Sequence, residues 1–201
     1  MKRPALPTAR VAEIFETALW FRRQYAADNQ FFRMTDYWRW LRDEGAYCRI
    51  KTYRSDQSED FKRKAGVVAF GDDITLVVDE RLMDRADDGC KLCNYMLGHE
   101  AAHIMLDHHE RGAVVKNYQL FAGPSGLSNL PPTAEELEAN YGAVFLQCGV
   151  TLANPRWDTL QLADRAYSDV RSVAKAQRIV QIDVFQRELA RQKPVYPTVI
   201  L

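Results

Sequence analysis

Two histidines four residues apart enclose a glutamate in Gly98-His99-Glu100-Ala101-Ala102-His103. Residues i and i+4 share one face of an α-helix, so His99 and His103 can reach the same metal ion. Glu100 stands one position on, about 100° further round the helix, beside such an ion and not on it. A carboxylate there can take a proton from water at the metal and pass it to a leaving amine. The bland alternative is a packed helix with two histidines at its solvent edge. The flanks argue against it. Leu92, Met96, Leu97, Ile104, Met105 and Leu106 make the segment apolar on both sides of the motif, and polar groups on such a helix need partners.

A catalytic zinc takes three protein ligands and keeps one position open. The third ligand is expected from a second helix. Glu135, Glu136 and Glu138 are the candidates, in Glu135-Glu136-Leu137-Glu138-Ala139-Asn140. Glu136 and Asn140 share a face, so Glu136 can bind the metal while Asn140 hydrogen-bonds the ligands from outside. Thr133 and Glu136 also match a capping box, in which Glu136 bonds backbone and Glu138 becomes the better ligand. His108 and His109 follow the motif, either as rim residues that polarise a carbonyl or as exposed side chains near a helix end. Tyr95 and Tyr141 are candidate oxyanion donors. Cys90 and Cys93 stand at the expected start of the motif helix, where a lowered thiol pKa would suit redox sensing and burial would suit a structural pair.

A small set of elements must hold these residues. Ala9 to Ala27 reads as an amphipathic helix capped by Thr8, with Val11, Ile14, Phe15, Ala18, Leu19 and Phe21 at helical spacing. Asp36 to Glu44 reads as a second helix stopped by Gly45. The aromatics Phe31, Phe32, Tyr37, Trp38 and Trp40 are spaced for packing more than for base stacking. Tyr47 to Tyr53 reads as a strand and Ser55 to Lys64 as a polar loop. Gly66 to Gly71 and Ile74 to Asp79 form a hairpin around Asp72 and Asp73. The acids from Asp84 to Asp88 are expected on a solvated loop. Leu92 to Leu106 is the motif helix, residues 117–132 a loop closed by Pro131 and Pro132, and Glu135 to Val150 the second site helix. Leu160 to Leu189 continues as helices with a helix-turn-helix flavour, Ser168 capping the second, before a tail with Pro194 and Pro197.

The chain has 201 residues, 47% apolar and 27% charged. That is one large domain, or one with a small appendage, and excludes a disordered, collagen-like or disulfide-stapled chain. Basic and acidic residues number 27 each, which argues against a protein that wraps nucleic acid. The balance is uneven: 14 basic against 9 acidic in residues 1–64, 5 against 13 in 65–150, and 8 against 5 in 151–201. An acidic middle suits a cation or a basic partner, or simply solvated loops. No signal peptide and no apolar run of about 18 residues is recognisable. With four cysteines, a reducing cytoplasm and free thiols are expected, with no membrane association.

The order of a hairpin, an H-E-x-x-H helix, a loop and Glu136-x-x-Ala139-Asn140 resembles the ImmA/IrrE family of metallopeptidases, intracellular zinc-dependent relatives of the gluzincins. The resemblance spans roughly Asp36 to Val150. It implies His99, His103 and Glu136 as zinc ligands and Glu100 as general base, and it favours Glu136 over Glu138. The chain departs from the family's pattern at two places. Ala102 stands where the family often has Gly, and Tyr141-Gly142-Ala143 where it usually continues Phe-Ala. The implied architecture is α+β and mostly helical, with a small antiparallel sheet. Residues 1–150 would form the metallopeptidase domain and 151–201 a C-terminal helical specificity segment. The implied activity is a zinc endopeptidase that cuts a helix-turn-helix repressor at one site, recognised as a protein and without direct nucleic-acid contact. The rival is an immunity or toxin–antitoxin partner that keeps a structural metal and cleaves nothing.

Overall fold

The computed structural model describes residues 6–44, 48–55, 65–70, 73–108 and 133–192. Helix α1 (Thr8–Tyr25) buries Val11, Ile14, Phe15, Ala18 and Leu19. The Thr8 cap expected from sequence does not form. Pro7 precedes the helix at φ −58°, and its carbonyl already accepts the first helical bond from Val11 N–H at 3.1 Å, so Thr8 lies inside the first turn. Helix α2 (Met34–Glu44) starts earlier than expected, because Asn94 Oδ1, far along the chain, accepts from Met34 N–H at 2.8 Å. The aromatic segment is core: Trp38 is buried and donates to Leu97 O at 3.0 Å, while Tyr25 meets Phe32 and Tyr37 edge-on.

Strands β1 (Cys48–Tyr53), β2 (Ala65–Phe70) and β3 (Asp73–Asp79) form one sheet in the order β1-β3-β2. The β2–β3 hairpin is antiparallel, with Val67 opposite Leu76. β1 pairs with the other edge of β3 and runs parallel, Ile50 opposite Leu76. The sheet is therefore mixed and not antiparallel as expected. A parallel neighbour is not joined by a tight turn, so no turn residues announce its direction.

The acids at 84–88 do not form a loop either. Helix α3 (Glu80–Asp87) buries Leu82, Met83 and Ala86 and turns its carboxylates outward. Asp79 caps it, accepting from Arg81 N–H at 3.0 Å. Helices α4 (Lys91–Met105) and α5 (Ala134–Cys148) then pack together. They approach so closely at Gly142 that a Cβ there would lie 2.8 Å from Ala102 Cβ and 2.9 Å from Met105 Cε. The far end of α5 is held by buried Arg22, which donates to Leu146 O at 2.7 Å and Gln147 O at 3.0 Å.

A 3-10 turn (Gly149–Ala153) leads to α6 (Thr159–Arg165), α7 (Val170–Val180) and α8 (Asp183–Arg191). Ser168 does not cap α7. Asp169 does, accepting from Ser172 N–H at 2.9 Å, and Ser168 is buried, donating to Gln147 Oε1 at 2.8 Å. Phe185 of α8 meets Phe15 of α1 at 5.7 Å between ring centroids. Buried side chains from α1 to α8 share one core. Among the described residues, no helix is long and apolar enough to cross a membrane. Gly45, the 117–132 loop, His109 and the tail with Pro194 and Pro197 lie outside the described residues.

Candidate metal centre

The motif histidines occupy the last two turns of α4, with their rings buried. His99 Nε2 and His103 Nε2 face each other at 3.1 Å. Across from them stands Glu136, in the first turn of α5, with Oε2 at 3.2 Å from His99 Nε2 and Oε1 at 3.6 Å from His103 Nε2. The three side chains can hold a metal ion, their ligand atoms all lying within 4.8 Å of one another. Two imidazole nitrogens and a carboxylate form the donor set of a catalytic zinc site. Contacts this close between imidazole nitrogens and a carboxylate are satisfied either by protons on the rings or by a cation among them.

Local structure explains why Glu136 is there. Thr133 Oγ1 accepts from Glu136 N–H at 3.2 Å, which begins α5 at a fixed position. Capping and metal binding therefore do not compete. The backbone of Glu136 serves the cap and its carboxylate faces the histidines. Glu138 points elsewhere. It receives Arg10 Nε at 3.0 Å and Arg10 Nη2 at 2.7 Å, and lies 3.1 Å from His108 Nε2. Glu135, the remaining candidate, is half-buried and is not in the group.

Glu100 is 1% exposed. It takes a backbone hydrogen bond from Val67 of β2, while its Oε2 has no hydrogen-bond partner among the described residues. Burial first, and the charge of Glu136 second, push its carboxyl well above the usual range, against the Val67 bond. A divalent cation between the two carboxylates would offset both effects. One orphaned oxygen beside a ready donor set is the arrangement a water-activating carboxylate requires.

Other expectations fare differently. His108 is not a rim residue: it is fully buried, its Nδ1 2.8 Å from His103 Nδ1. Asp107, at φ 52°, turns the chain back after α4 and carries His108 under the motif. The sequence gives little warning of this beyond an Asp, a residue that tolerates the left-handed conformation. Asn140 accepts from Tyr95 Oη at 2.5 Å; Tyr95 lies one turn before His99, so Asn140 reaches the motif helix through it. Burial pushes the Tyr95 phenol up to about 12, and its proton is committed to Asn140. Tyr141 stacks on Phe145 and lies under Lys175 Nζ at 4.5 Å.

Cys90 is half-buried at the N-terminus of α4, and Cys93 is fully buried. Burial raises the Cys90 thiol, but the backbone and thiol of Cys93 and the Leu92 amide outweigh it and bring the net shift down.

No family model, curated protein or solved structure matches this chain.

Proposed function

We propose that the protein is a zinc-dependent endopeptidase in which Glu100 is the general base. The reading is supported above all by one relationship. Glu136, from a separate helix, meets His99 and His103 within ligand distance of one another, while buried Glu100 keeps Oε2 free of any hydrogen bond among the described residues. A merely structural site needs no such carboxylate, and an orphaned one is costly to bury.

Bound there, zinc would polarise a scissile carbonyl and make water acidic enough to lose a proton near neutral pH. His99, His103 and Glu136 fix the position of that chemistry. Glu100, buried beside them, would receive the proton at Oε2 and return it to the leaving nitrogen. The Val67 amide restrains the other side of the same carboxylate. The resemblance to ImmA/IrrE metallopeptidases agrees with this division of roles and supplies the proposed substrate, a cytoplasmic helix-turn-helix repressor cut once in an exposed linker. The excess of acids in residues 65–150 suits a basic DNA-binding protein.

Co-expression with candidate repressors, comparing wild type with Glu100→Gln and mapping new N-termini by mass spectrometry, tests the reading. Single-site products made only by the wild type support it. Stoichiometric binding without cleavage by either protein would favour the non-catalytic partner instead.

A further inference from the structure

We propose that Arg10, Glu138 and His108 are positioning residues that hold His103 in the tautomer whose Nε2 lone pair faces the metal centre. The inference rests on the metal-binding reading of His99, His103 and Glu136, and it concerns residues outside that group.

Arg10 is always cationic. Its Nε and Nη2 donate to the two oxygens of Glu138 at 3.0 and 2.7 Å, and Glu13 braces it from the other side at 2.9 Å. A bidentate guanidinium partner keeps Glu138 ionised, and an ionised carboxylate only accepts. His108 Nε2, 3.1 Å from Glu138 Oε2, must therefore donate. In a neutral imidazole with a protonated Nε2, Nδ1 is an acceptor. His103 Nδ1, 2.8 Å away, supplies the proton. Its Nε2 then carries no proton, and that atom is the one facing His99 Nε2 and Glu136.

The arrangement is built, not incidental. His103 and His108 are buried and Glu138 is 6% exposed, and the parts come from α1, α4, the turn after α4, and α5. Metal-binding histidines usually donate their second nitrogen directly to a carboxylate or a carbonyl. Here a second imidazole stands between the ligand and the carboxylate and relays the polarity over its ring.

The chain has four histidines, so long-range proton–nitrogen NMR of metal-stripped protein can read each ring's tautomer. The expected pattern is His103 protonated at Nδ1 and His108 at Nε2. In His108→Phe the His103 tautomer loses its restraint, and zinc affinity, measured by competition with a chromophoric chelator, falls about 10- to 100-fold. His108→Gln, which offers an acceptor to His103 and a donor to Glu138, recovers most of that loss; a side chain that merely filled space would not. Arg10→Met, at a half-buried site, shifts both readouts in the same direction and covers the case in which His108→Phe fails to fold. A cationic His108 beside a His103 protonated at Nε2 in the wild type overturns the proposal. So does a folded His108→Phe that binds zinc as tightly as the wild type. If the wild type shows the expected tautomers but binds no zinc, the relay stands and the metal reading falls.

Discussion

Gly142 on α5 lies directly against Ala102 on α4: a Cβ at 142 would sit 2.8 Å from the Ala102 Cβ. Glu136 stands in the first turn of the same helix, so a change in this contact is expected to move it relative to the histidines. Gly142→Ala is expected to destabilise the protein by about 1–3 kcal/mol through overpacking and to weaken zinc binding. Adding Ala102→Gly should recover much of both, despite about 1 kcal/mol for a second helical glycine. Urea unfolding of the two single variants and the double variant checks this; strict additivity would mean that the contact is not what spaces the helices.

Glu100→Gln is expected to keep zinc affinity within a few-fold and to lower turnover by about 10²- to 10⁴-fold. Because burial disfavours the Glu100 charge, the metal-free variant should melt at or above the wild-type temperature. Loss of zinc from this variant would make Glu100 a ligand and end its assignment as base.

The two glutamates of α5 should separate in degree. Glu136→Ala is expected to lose zinc outright, since Glu136 belongs to the ligand group. Glu138→Ala should retain it at about 10-fold weaker affinity, because Glu138 acts through His108. Equilibrium dialysis against zinc distinguishes them. The reverse ranking would assign the ligand to Glu138.

Asp79 gives a pH dependence away from the site. Burial alone would raise its carboxyl, but hydrogen bonds from Arg81 and Ser55 outweigh that and lower it from 3.8 to about 2. A depressed folded-state pKa stabilises above the ordinary value, and the gain is lost as pH falls from about 4 towards 2. Asp79→Asn should therefore be less stable than the wild type at pH 7, by up to about 2 kcal/mol, with the gap narrowing below pH 4. A gap that stays constant from pH 7 to pH 3 would show that the carboxylate's charge is not the source.

The helix period made His99, Glu100 and His103 legible in the sequence, because one face and one offset follow from spacing alone. Choosing between Glu136 and Glu138 from residues alone was harder. Two positions on a helix point about 200° apart, and which one faces α4 depends on how α5 rotates at Gly142, a tertiary matter. His108 was out of reach for a similar reason. It follows the helix, and only the left-handed turn at Asp107 brings it beneath His103. The direction of β1 and the capping of α2 by Asn94 were likewise decided by partners distant along the chain. The C-terminal helices were legible as helices, but their caps were not, because Asp169 and Ser168 are neighbours with equal capping ability and burial of Ser168 against Gln147 settles the choice.

The central claim is that His99, His103 and Glu136 bind one metal ion. It is tested most directly by elemental analysis of protein purified without chelator and then dialysed against zinc, in parallel with His103→Ala. The expected result is one zinc per wild-type chain and none in the variant. Chelator should also lower the wild-type melting temperature and leave that of the variant unchanged, since the ion binds only the folded state. A wild-type chain that holds no zinc after dialysis, or no more than His103→Ala holds, would contradict it.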